Sequence, residues 1–313
     1  MDILLTYNYG AEKIEAITNL GYNVILEHEK DLLYSERYKD VEILICYNPF
    51  KTLDISKMKK LKWIQLSSIG IDQLPIDKLR DREIIVTNNQ GGYSKPMGEW
   101  VVLSILEIIK NKKEIFSNQI DKKWKMYSNL MELVNKKVLF LGTGTIAKES
   151  AKRLQGFECI IDGVNTSGKK NEHFNNIYKS EEIYSIISNY DVIISTLPKV
   201  KETFHFIDKK FLEQMKEDSI LVNVSRGEII DESELIIQLN KGKFIGVSLD
   251  VFENEPLMNT SKLWGFKRVY ISSHNSWISE MKNERRYKII YKNLVNYQEK
   301  KELINRVDFL RGY

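Results

Sequence analysis

Cysteine is scarce in this sequence, because only Cys46 and Cys159 occur among 313 residues. Both lie in short apolar runs that are typical of strands. We therefore expect buried thiols and a reducing compartment, the cytoplasm. Histidine is also scarce, with four residues, and the histidines and cysteines do not occur at metal-ligand spacing. The sequence therefore predicts no metal site.

Long apolar runs are missing as well. A membrane-spanning helix needs about 18 consecutive apolar residues, and no such stretch is present. The first five residues lack the basic start and long apolar core of a signal peptide, so none is expected. Basic and acidic residues number 47 and 43, for a net charge of +4, which does not indicate a nucleic-acid partner. The length is that of a globular protein with about two domains.

The first third of the chain alternates β-rich runs with helical spacing. Apolar residues recur at Ile14, Ile17 and Leu20, and Gly21 ends that helix. Strand, helix and strand in this rhythm predict a parallel sheet with helices on both faces. The predicted strands cover residues 3–6, 24–27, 41–46, 63–66 and 84–87.

Two further segments of this part are distinctive. Residues 67–72 follow a predicted strand and contain Gly70, at the edge where parallel sheets bind ligands. Their N–H groups can hold a carboxylate, although the loop by itself favours a plain turn. Residues 88–96 form a polar break between domains. Residues 97–109 then predict a helix that is apolar on nearly every side, and hence buried between domains or subunits.

A glycine motif organises the second half. A short apolar strand ends in the pattern Gly142-x-Gly144-x-x-Ala147, and helical spacing follows. This is the dinucleotide fingerprint with Ala in its third place. Gly142 permits a tight turn, Gly144 lets a pyrophosphate approach the backbone, and Ala147 lets the helix pack closely on the strand. The N–H groups near Thr145 and Ile146 would face the anion.

Three later strands end near side chains that can carry out chemistry: Arg226, Glu255 and His274. A guanidinium grips a carboxylate through two charge-assisted hydrogen bonds. An imidazole exchanges protons near neutral pH, and a neighbouring carboxylate fixes its tautomer and favours the charged ring. Alone, each residue is more often structural. Together they predict hydride transfer between a nicotinamide and a 2-oxo acid, with His274 as the acid.

The second half also alternates predicted strands with other segments. Strands are predicted at residues 159–164, 192–196, 220–224, 245–249 and 269–271, and a helical pattern returns at 281–313.

These residues make the chain resemble the D-isomer-specific 2-hydroxyacid dehydrogenase family. The resemblance implies an α/β fold of two doubly wound parallel-sheet domains. A flavodoxin-like substrate domain would comprise residues 1–96 and 281–313, and a Rossmann cofactor domain residues 97–280. The apolar helix would lie at the interface of a homodimer. The matching stretches are residues 67–72, 89–92, 142–147, 191–203, 223–232, 249–257 and 273–274.

The resemblance also implies roles for individual residues. Arg226 would hold the substrate carboxylate and Glu255 would tune His274, while the Ile69 and Gly70 N–H groups would lie near the carboxylate.

The resemblance also implies a set of cofactor-binding residues. Beyond the fingerprint, that set comprises Asn165, Thr166, Ser167, Leu197, Pro198, Thr203, Val224, Asp250 and Ser276. Of these, Asp250 would lie near the nicotinamide amide.

Two departures from the family pattern bear on the cofactor and on the acid. Ser273 replaces the common Pro before the catalytic His. Asn165 stands about 18 residues after the fingerprint, where the family usually has a ribose-binding Asp. Neutral donors there, followed by Lys169 and Lys170, favour NADP over NAD. In the alternative, Asp162 serves the ribose and the cofactor is NAD.

The sequence thus predicts an NADP(H)-preferring oxidoreductase that interconverts 2-oxo acids and (R)-2-hydroxy acids. Two alternatives stay open: a dinucleotide-sensing, corepressor-like binding protein without catalysis, and a short phosphoglycerate dehydrogenase. Formate dehydrogenases of this family carry Gln in place of Glu255, which argues against that activity. Selectivity for the substrate side chain is expected from residues such as Tyr7, Tyr9, Tyr47, Met97 and Trp277.

Overall fold

The computed structural model describes residues 1–30, 32–80, 82–309 and 311–312. The chain divides into two compact units. Unit 1 consists of Met1–Tyr93 and Ser279–Tyr313, and unit 2 of Ser94–Ile278. The first boundary lies inside the polar segment 88–96.

Each unit contains one parallel sheet. The strands are β1 (Asp2–Leu5), β2 (Asn23–Leu26), β3 (Val41–Cys46), β4 (Trp63–Leu66), β5 (Ile85–Thr87), β6 (Lys137–Leu141), β7 (Ile160–Asn165), β8 (Asn176–Lys179), β9 (Val192–Ser195), β10 (Ser219–Asn223), β11 (Phe244–Leu249) and β12 (Val269–Ile271). The helices are α1 (Ala11–Asn19), α2 (Ile76–Arg80), α3 (Ser94–Ile109), α4 (Lys112–Ile120), α5 (Thr145–Leu154), α6 (Ile183–Ile186), α7 (Lys209–Gln214), α8 (Glu232–Asn240) and α9 (Lys282–Gln298).

The sheet of unit 1 has the order β2-β1-β3-β4-β5. This is the flavodoxin-like order, in which helices cover both faces of a parallel sheet. Successive residues of β1 point into different clusters: Ile3 packs with Ile290 and Leu294 of α9, whereas Leu4 packs with Leu44 and other residues of the opposite face. The strand runs are therefore apolar throughout, as the sequence pattern predicted.

The sheet of unit 2 has the order β12-β11-β10-β9-β6-β7-β8. Six of these strands follow the Rossmann order, and β12 extends one edge. Strand β8 was not among the strands predicted from the sequence. This strand lies at the other edge, with two exposed and two half-buried residues, so it lacks the apolar run by which buried strands are recognised.

Helix α3 is buried on one side, by close packing within unit 2. A Cβ on Gly98 would lie 3.0 Å from the backbone of Glu149 on α5, so glycine permits this helix contact. Ser104 hydrogen-bonds Ser248 of β11 at 3.0 Å. Within the single chain the Leu103 side chain is 46% exposed. The expectation that this helix is buried between domains or subunits stays a prediction.

Two sequence expectations need correction. Cys46 is buried in β3, but Cys159 precedes β7 and is half-buried, although burial still raises its pKa to about 11. The C-terminal helix ends at Gln298. Beyond it, the described residues form turns and a bridge between Thr87 and Arg306, because that segment packs along the edge of β5 instead of extending the helix. No helix among the described residues is long and apolar enough to cross a membrane.

Candidate active site

The turn between β6 and α5 has the geometry that the glycine motif predicted. Gly142 has a φ of +87°, a conformation in which other residues are strained. Its Cβ would also lie 3.2 Å from the Thr196 carbonyl oxygen. Ala147, in the first turn of α5, is completely buried. The chain therefore turns sharply out of the strand, and the helix packs directly on the sheet.

Two features of unit 2 fit a bound dinucleotide. A Cβ on Gly144 would meet no atom within 4 Å, so the glycine leaves open space in front of the helix N-terminus. Gly144 is also the N-cap of α5 and offers no side chain to the first N–H groups, which can then face an anion. At the opposite end of the sheet edge, the Ser276 hydroxyl is buried and has no hydrogen-bond partner among the described residues. The open space and the buried polar atom match a long polar ligand.

Asp162 has a structural role inside β7. Its carboxylate accepts hydrogen bonds from the Asn176 N–H at 2.9 Å and from the Tyr190 hydroxyl at 2.7 Å, and it is 5% exposed. Burial, together with this carboxylate, raises the pKa of Tyr190. Both carboxylate oxygens are thus engaged within the protein, which argues against a role for Asp162 in binding a ribose.

The end of β7 carries Asn165 instead. Its amide nitrogen donates to the Thr143 hydroxyl at 2.9 Å, and its oxygen accepts the Ser167 N–H at 3.0 Å. These bonds fold residues 165–168 into a tight turn beside the glycine motif. Thr166 and Ser167 are exposed on this turn, and Lys169 and Lys170 follow as exposed cations.

The other residues of the implied cofactor set follow β9 and β10. Leu197 and Pro198 are half-buried after β9, and the Thr203 hydroxyl donates to the Pro198 carbonyl at 2.7 Å, which closes that loop. Val224 is buried directly after β10, and its N–H donates to the Ser195 carbonyl at 3.5 Å. These four residues therefore lie at the carboxyl edge of the same sheet as the glycine motif.

His274 and Glu255 form the pair that the sequence predicted. The His274 Nδ1 atom lies 2.8 Å from the Glu255 Oε2 atom, and the side chains are 39% and 36% exposed. The other carboxylate oxygen accepts the Phe252 N–H at 3.0 Å. Glu255 is therefore held by its own loop and orients the imidazole, so that Nε2 is the ring nitrogen left to meet a ligand.

Asp250 fixes the backbone that presents His274. It is 1% exposed, and its carboxylate accepts hydrogen bonds from the Ser272 hydroxyl at 2.6 Å, the Asn275 N–H at 2.8 Å and the Ser276 N–H at 3.0 Å. The His274 N–H donates to the Asp250 carbonyl at 2.8 Å, with His274 itself at a φ of +52°. This cage explains how Ser273 can replace the usual proline, because side-chain bonds hold the loop.

Arg226 emerges from a second braced loop. The Asn223 amide donates to the Arg226 carbonyl at 2.9 Å, and the Asn223 oxygen accepts from the Ser225 hydroxyl at 2.7 Å. The next residue, Gly227, lies so close to the loop after β11 that a Cβ would be 1.8 Å from the Phe252 carbonyl carbon. The Arg226 loop and the loop leading to Glu255 therefore touch through their backbones.

A group of acidic residues joins the same two loops. The Glu253 carboxylate accepts the Glu232 N–H at 3.1 Å, and the Glu232 carboxylate accepts the Glu253 N–H at 2.8 Å. His205 lies alongside, with Nε2 2.9 Å from Glu253 and Nδ1 3.8 Å from Asp231. The ligand atoms of His205, Asp231 and Glu253 lie within 4.8 Å of one another, a grouping that the sequence analysis did not predict.

In unit 1, the loop with Ile69 and Gly70 is held by its carbonyl groups. The Ser68 hydroxyl donates to the Gly70 carbonyl at 2.8 Å, and the Asn88 amide donates to the Ile69 carbonyl at 3.0 Å. Neither the Ile69 nor the Gly70 N–H donates to any residue that the structure describes. Hydrogen bonds therefore fix the carbonyl groups of this loop, while its N–H groups can bind an anion.

Comparison with known families decides the identity. Residues 102–276 match the model for the D-isomer specific 2-hydroxyacid dehydrogenase NAD-binding domain. The chain belongs to this family. As a 2-hydroxyacid dehydrogenase, it is an oxidoreductase, and the resemblance seen in the sequence is confirmed, as is the fold of two parallel-sheet α/β units.

Individual relatives extend this likeness over both units. A glyoxylate reductase from Thermofilum pendens is 28% identical over 272 residues, 85% of this chain and 80% of that protein. The crystal structure of a D-isomer specific 2-hydroxyacid dehydrogenase family protein from Aeromonas salmonicida has a TM-score of 0.83 and 26% identity, and covers 98% of this chain and 99% of that one. An NADPH-dependent glyoxylate/hydroxypyruvate reductase from Sinorhizobium meliloti, crystallised with NADP and sulfate, has a TM-score of 0.83 and 20% identity, covering 100% and 99%.

Some residues of this site were missed in the sequence. Glu232 and Glu253 stand inside stretches that were singled out, but nothing in their spacing indicated that they would exchange hydrogen bonds. Gly227 follows Arg226, and its close contact with another loop has no local signature. His205 does not directly follow any of the predicted strands, so nothing in the sequence singled it out.

Proposed function

We propose that this 2-hydroxyacid dehydrogenase is an NADP(H)-preferring reductase of 2-oxo acids that forms (R)-2-hydroxy acids. The observation that carries this proposal is the 2.8 Å contact between His274 and Glu255, on loops of the sheet that also carries the open Gly144 turn. Unit 2 is the cofactor-binding unit in this proposal, and unit 1 the substrate-binding unit.

The residues of the chain have distinct tasks. A bound nicotinamide supplies the hydride that reaches the carbonyl carbon of the 2-oxo acid. His274 delivers the proton to the carbonyl oxygen from Nε2, and Glu255 stabilises the charged ring before that transfer. Arg226 holds the substrate carboxylate by charge-assisted hydrogen bonds. On unit 1, the N–H groups of Ile69 and Gly70 are further donors to that carboxylate.

The cofactor preference rests on the end of β7. Asp162 is occupied within the protein, so no carboxylate there opposes a 2′-phosphate. Asn165 builds a turn with the neutral donors Thr166 and Ser167, and Lys169 supplies positive charge. The NADP complex of the Sinorhizobium meliloti reductase, which shares this fold, agrees with the preference.

Turnover tests the proposal directly. The purified protein is assayed with NADPH and NADH in parallel against glyoxylate, hydroxypyruvate, pyruvate, phosphohydroxypyruvate, and branched and aromatic 2-oxo acids. We expect a higher kcat/KM with NADPH, and an (R)-hydroxy acid product by chiral chromatography. Tight NADPH binding without turnover of any 2-oxo acid would favour a dinucleotide-sensing binding protein. Turnover confined to phosphohydroxypyruvate would identify a phosphoglycerate dehydrogenase.

We also propose that the protein is a homodimer in the cytoplasm. Leu103 is a large apolar side chain, 46% exposed, on the otherwise well-packed helix α3, which fits a subunit interface along that helix. The two free cysteines fit a reducing compartment. Light scattering should give the mass of a dimer for the natural chain and a lower mass for Leu103→Glu, because a buried carboxylate would open the interface.

A further inference from the structure

Unit 1 contains a buried cation that the site described above does not use. Arg286, in the second turn of α9, is only 8% exposed. Its Nε–H has no hydrogen-bond partner, and no carboxylate of the described residues forms an ion pair with it. Burying a guanidinium without an anion is costly, so its surroundings need an explanation.

Tyrosines and one amide provide the neighbours of this guanidinium. The Arg286 Cζ atom lies 5.1 Å from the ring centre of Tyr7 and 5.8 Å from that of Tyr9. One guanidinium nitrogen donates to the Asn283 oxygen at 3.3 Å, and the Asn283 amide donates to the Tyr7 hydroxyl at 2.7 Å. Cation–π contacts favour the charge but do not satisfy the remaining N–H groups of the guanidinium, and Nε–H has no hydrogen-bond partner. The group is thus held in place and still able to bind an anion.

Other buried polar atoms without partners lie in the same neighbourhood. They are the Tyr9 hydroxyl and the Asn89 Oδ1 atom, and with the Arg286 Nε atom they are the unpartnered buried side-chain atoms of the described part of unit 1. The Asn89 amide nitrogen donates to the Arg286 carbonyl at 3.3 Å. Burial raises the pKa of Tyr9, while the charge of Arg286 and polar contacts with Ser67 and Arg286 oppose that shift. Three buried polar atoms that lack a hydrogen bond of normal geometry, on neighbouring residues, indicate a polar ligand.

This neighbourhood adjoins the loop that carries Ile69 and Gly70. The Asn89 N–H donates to the Ser68 carbonyl at 2.8 Å, and Ser67 lies beside the Tyr9 hydroxyl. A ligand whose carboxylate is held by the loop N–H groups would therefore extend toward Arg286 along the same side of unit 1. The part of the substrate that Arg286 meets is then the end distant from that carboxylate.

We propose that Arg286 is a specificity-determining residue that binds a second anionic group at the far end of the substrate, so that the preferred substrates are 2-oxo dicarboxylic acids. The proposal rests on the proposed 2-oxo acid reduction. An anionic group would pair with the guanidinium through charge-assisted hydrogen bonds and engage the Tyr9 hydroxyl. Arg286 takes no part in the hydride or proton transfer.

Matched substrates test the proposal on the natural protein. Oxaloacetate is compared with 2-oxobutyrate, and 2-oxoglutarate with 2-oxopentanoate, because each pair has the same chain length and differs in the second carboxylate. We expect kcat/KM to favour the dicarboxylic member of at least one pair by about tenfold or more, mainly through KM. Reduction of the monocarboxylic acids without such a preference overturns the role of Arg286 and leaves the proposed function intact. Reduction of no 2-oxo acid counts against the proposed function.

Variants separate recognition from a structural role. Arg286→Met should lower the dicarboxylic preference by about tenfold to a hundredfold, the loss expected for one charge-assisted hydrogen bond, with little change for the monocarboxylic acids. Arg285→Met is the matched control, because Arg285 donates to the neutral Gly92 carbonyl and Ser279 hydroxyl. It should keep the preference. Arg286→Gln replaces Arg286→Met if the latter does not fold. An unchanged preference in a folded neutral variant means that internal water or the tyrosines satisfy the guanidinium, and refutes the proposal.

Discussion

Glu232 and Glu253 exchange hydrogen bonds, since the carboxylate of each accepts the backbone N–H of the other, at 2.8 and 3.1 Å. The first residue begins α8, shortly after Arg226, and the second stands two residues before Glu255. The exchange therefore ties the loop that carries Arg226 to the loop that carries Glu255, whose carboxylate contacts His274. Both loops also meet where Gly227 touches Phe252.

Glu232→Gln should become more stable than the natural protein as pH rises. Burial raises the pKa of Glu232, and the charges of Glu253, Glu228 and Glu255 add to the shift. The pKa of Glu232 is therefore higher in the folded than in the unfolded protein. Its contribution to the free energy of unfolding is complete at pH values below the unfolded pKa, and it is lost as the pH rises through the folded pKa. Gln keeps an acceptor for the Glu253 N–H and cannot ionise. Denaturant unfolding from about pH 4 to pH 8 measures the difference.

Glu228→Gln is the control, because its stability relative to the natural protein should change with pH in the opposite direction. Burial works against ionisation at Glu228, but the hydrogen bond and charge of Lys199 outweigh it and lower the pKa. Its contribution is present above the unfolded pKa and is lost as pH falls. This variant should therefore become less stable than the natural protein as pH rises. If the stability of both variants changes with pH in the same direction, the pKa assignment of one of the two residues is wrong.

Gly227→Ala should push the loop that carries Arg226 away from the loop that leads to Glu255. The new Cβ would lie 1.8 Å from the Phe252 carbonyl carbon and 2.3 Å from the Glu253 nitrogen, so the backbone must move. We expect a loss of about 1–3 kcal/mol in the free energy of unfolding, as for overpacked cores, together with a lower kcat. Gly265→Ala is the control, because its Cβ would meet nothing within 4 Å. Equal stability of the two variants would show that the loops can part without cost.

Gly144→Ala should weaken cofactor binding without affecting the fold. Gly144 has a φ of −73°, which alanine adopts readily, and its Cβ would meet no protein atom within 4 Å. That space is where the pyrophosphate must approach the backbone. We expect an unchanged Tm and a rise of about tenfold or more in the Kd of NADPH, measured by fluorescence titration. Gly156→Ala, with equally open space, should change neither quantity. Unchanged NADPH affinity in Gly144→Ala would place the pyrophosphate elsewhere.

His274→Asn should lower kcat by about 10²- to 10⁴-fold, because the proton donor is lost while NADPH still binds. Glu255→Gln should cause a smaller fall, since Gln can accept the Nδ1–H but cannot stabilise the charged ring. His173→Asn serves as the control, because among the described residues the His173 side chain hydrogen-bonds only Gln155. Near-natural kcat in His274→Asn would exclude this residue as the acid.

Asn165→Asp should shift the cofactor preference toward NADH. A carboxylate at the end of β7 would repel the 2′-phosphate and could accept hydrogen bonds from a ribose. We expect the ratio of kcat/KM for NADPH over NADH to fall by about tenfold or more. Asp162→Asn is the comparison: it should lower stability, because Asp162 is buried and bonded to Tyr190, and leave the ratio unchanged. A changed ratio in Asp162→Asn would support the alternative that Asp162 serves the ribose.

Most of the fold could be predicted from short stretches of sequence. Parallel strands buried on both faces appear as apolar runs, and eleven of the twelve strands of the described chain were found in this way. The exception, β8, is a half-exposed edge strand with little apolar character. The glycine motif was predictable because Gly142 and Ala147 act within one turn and one helix. The exposed side of α3 could not be predicted in this way, because it depends on which neighbouring elements cover the helix.

The sequence by itself determined the family, the two parallel sheets and the residues at the strand ends, since each of these follows from local pattern. Only the tertiary structure decided which side chains meet. The reciprocal bonds of Glu232 and Glu253 join separate loops, and the contact between Arg286 and Tyr7 joins the two ends of the chain. The physical reason is that hydrogen bonds and charge pairs act over a few ångströms in space, whatever the separation along the chain.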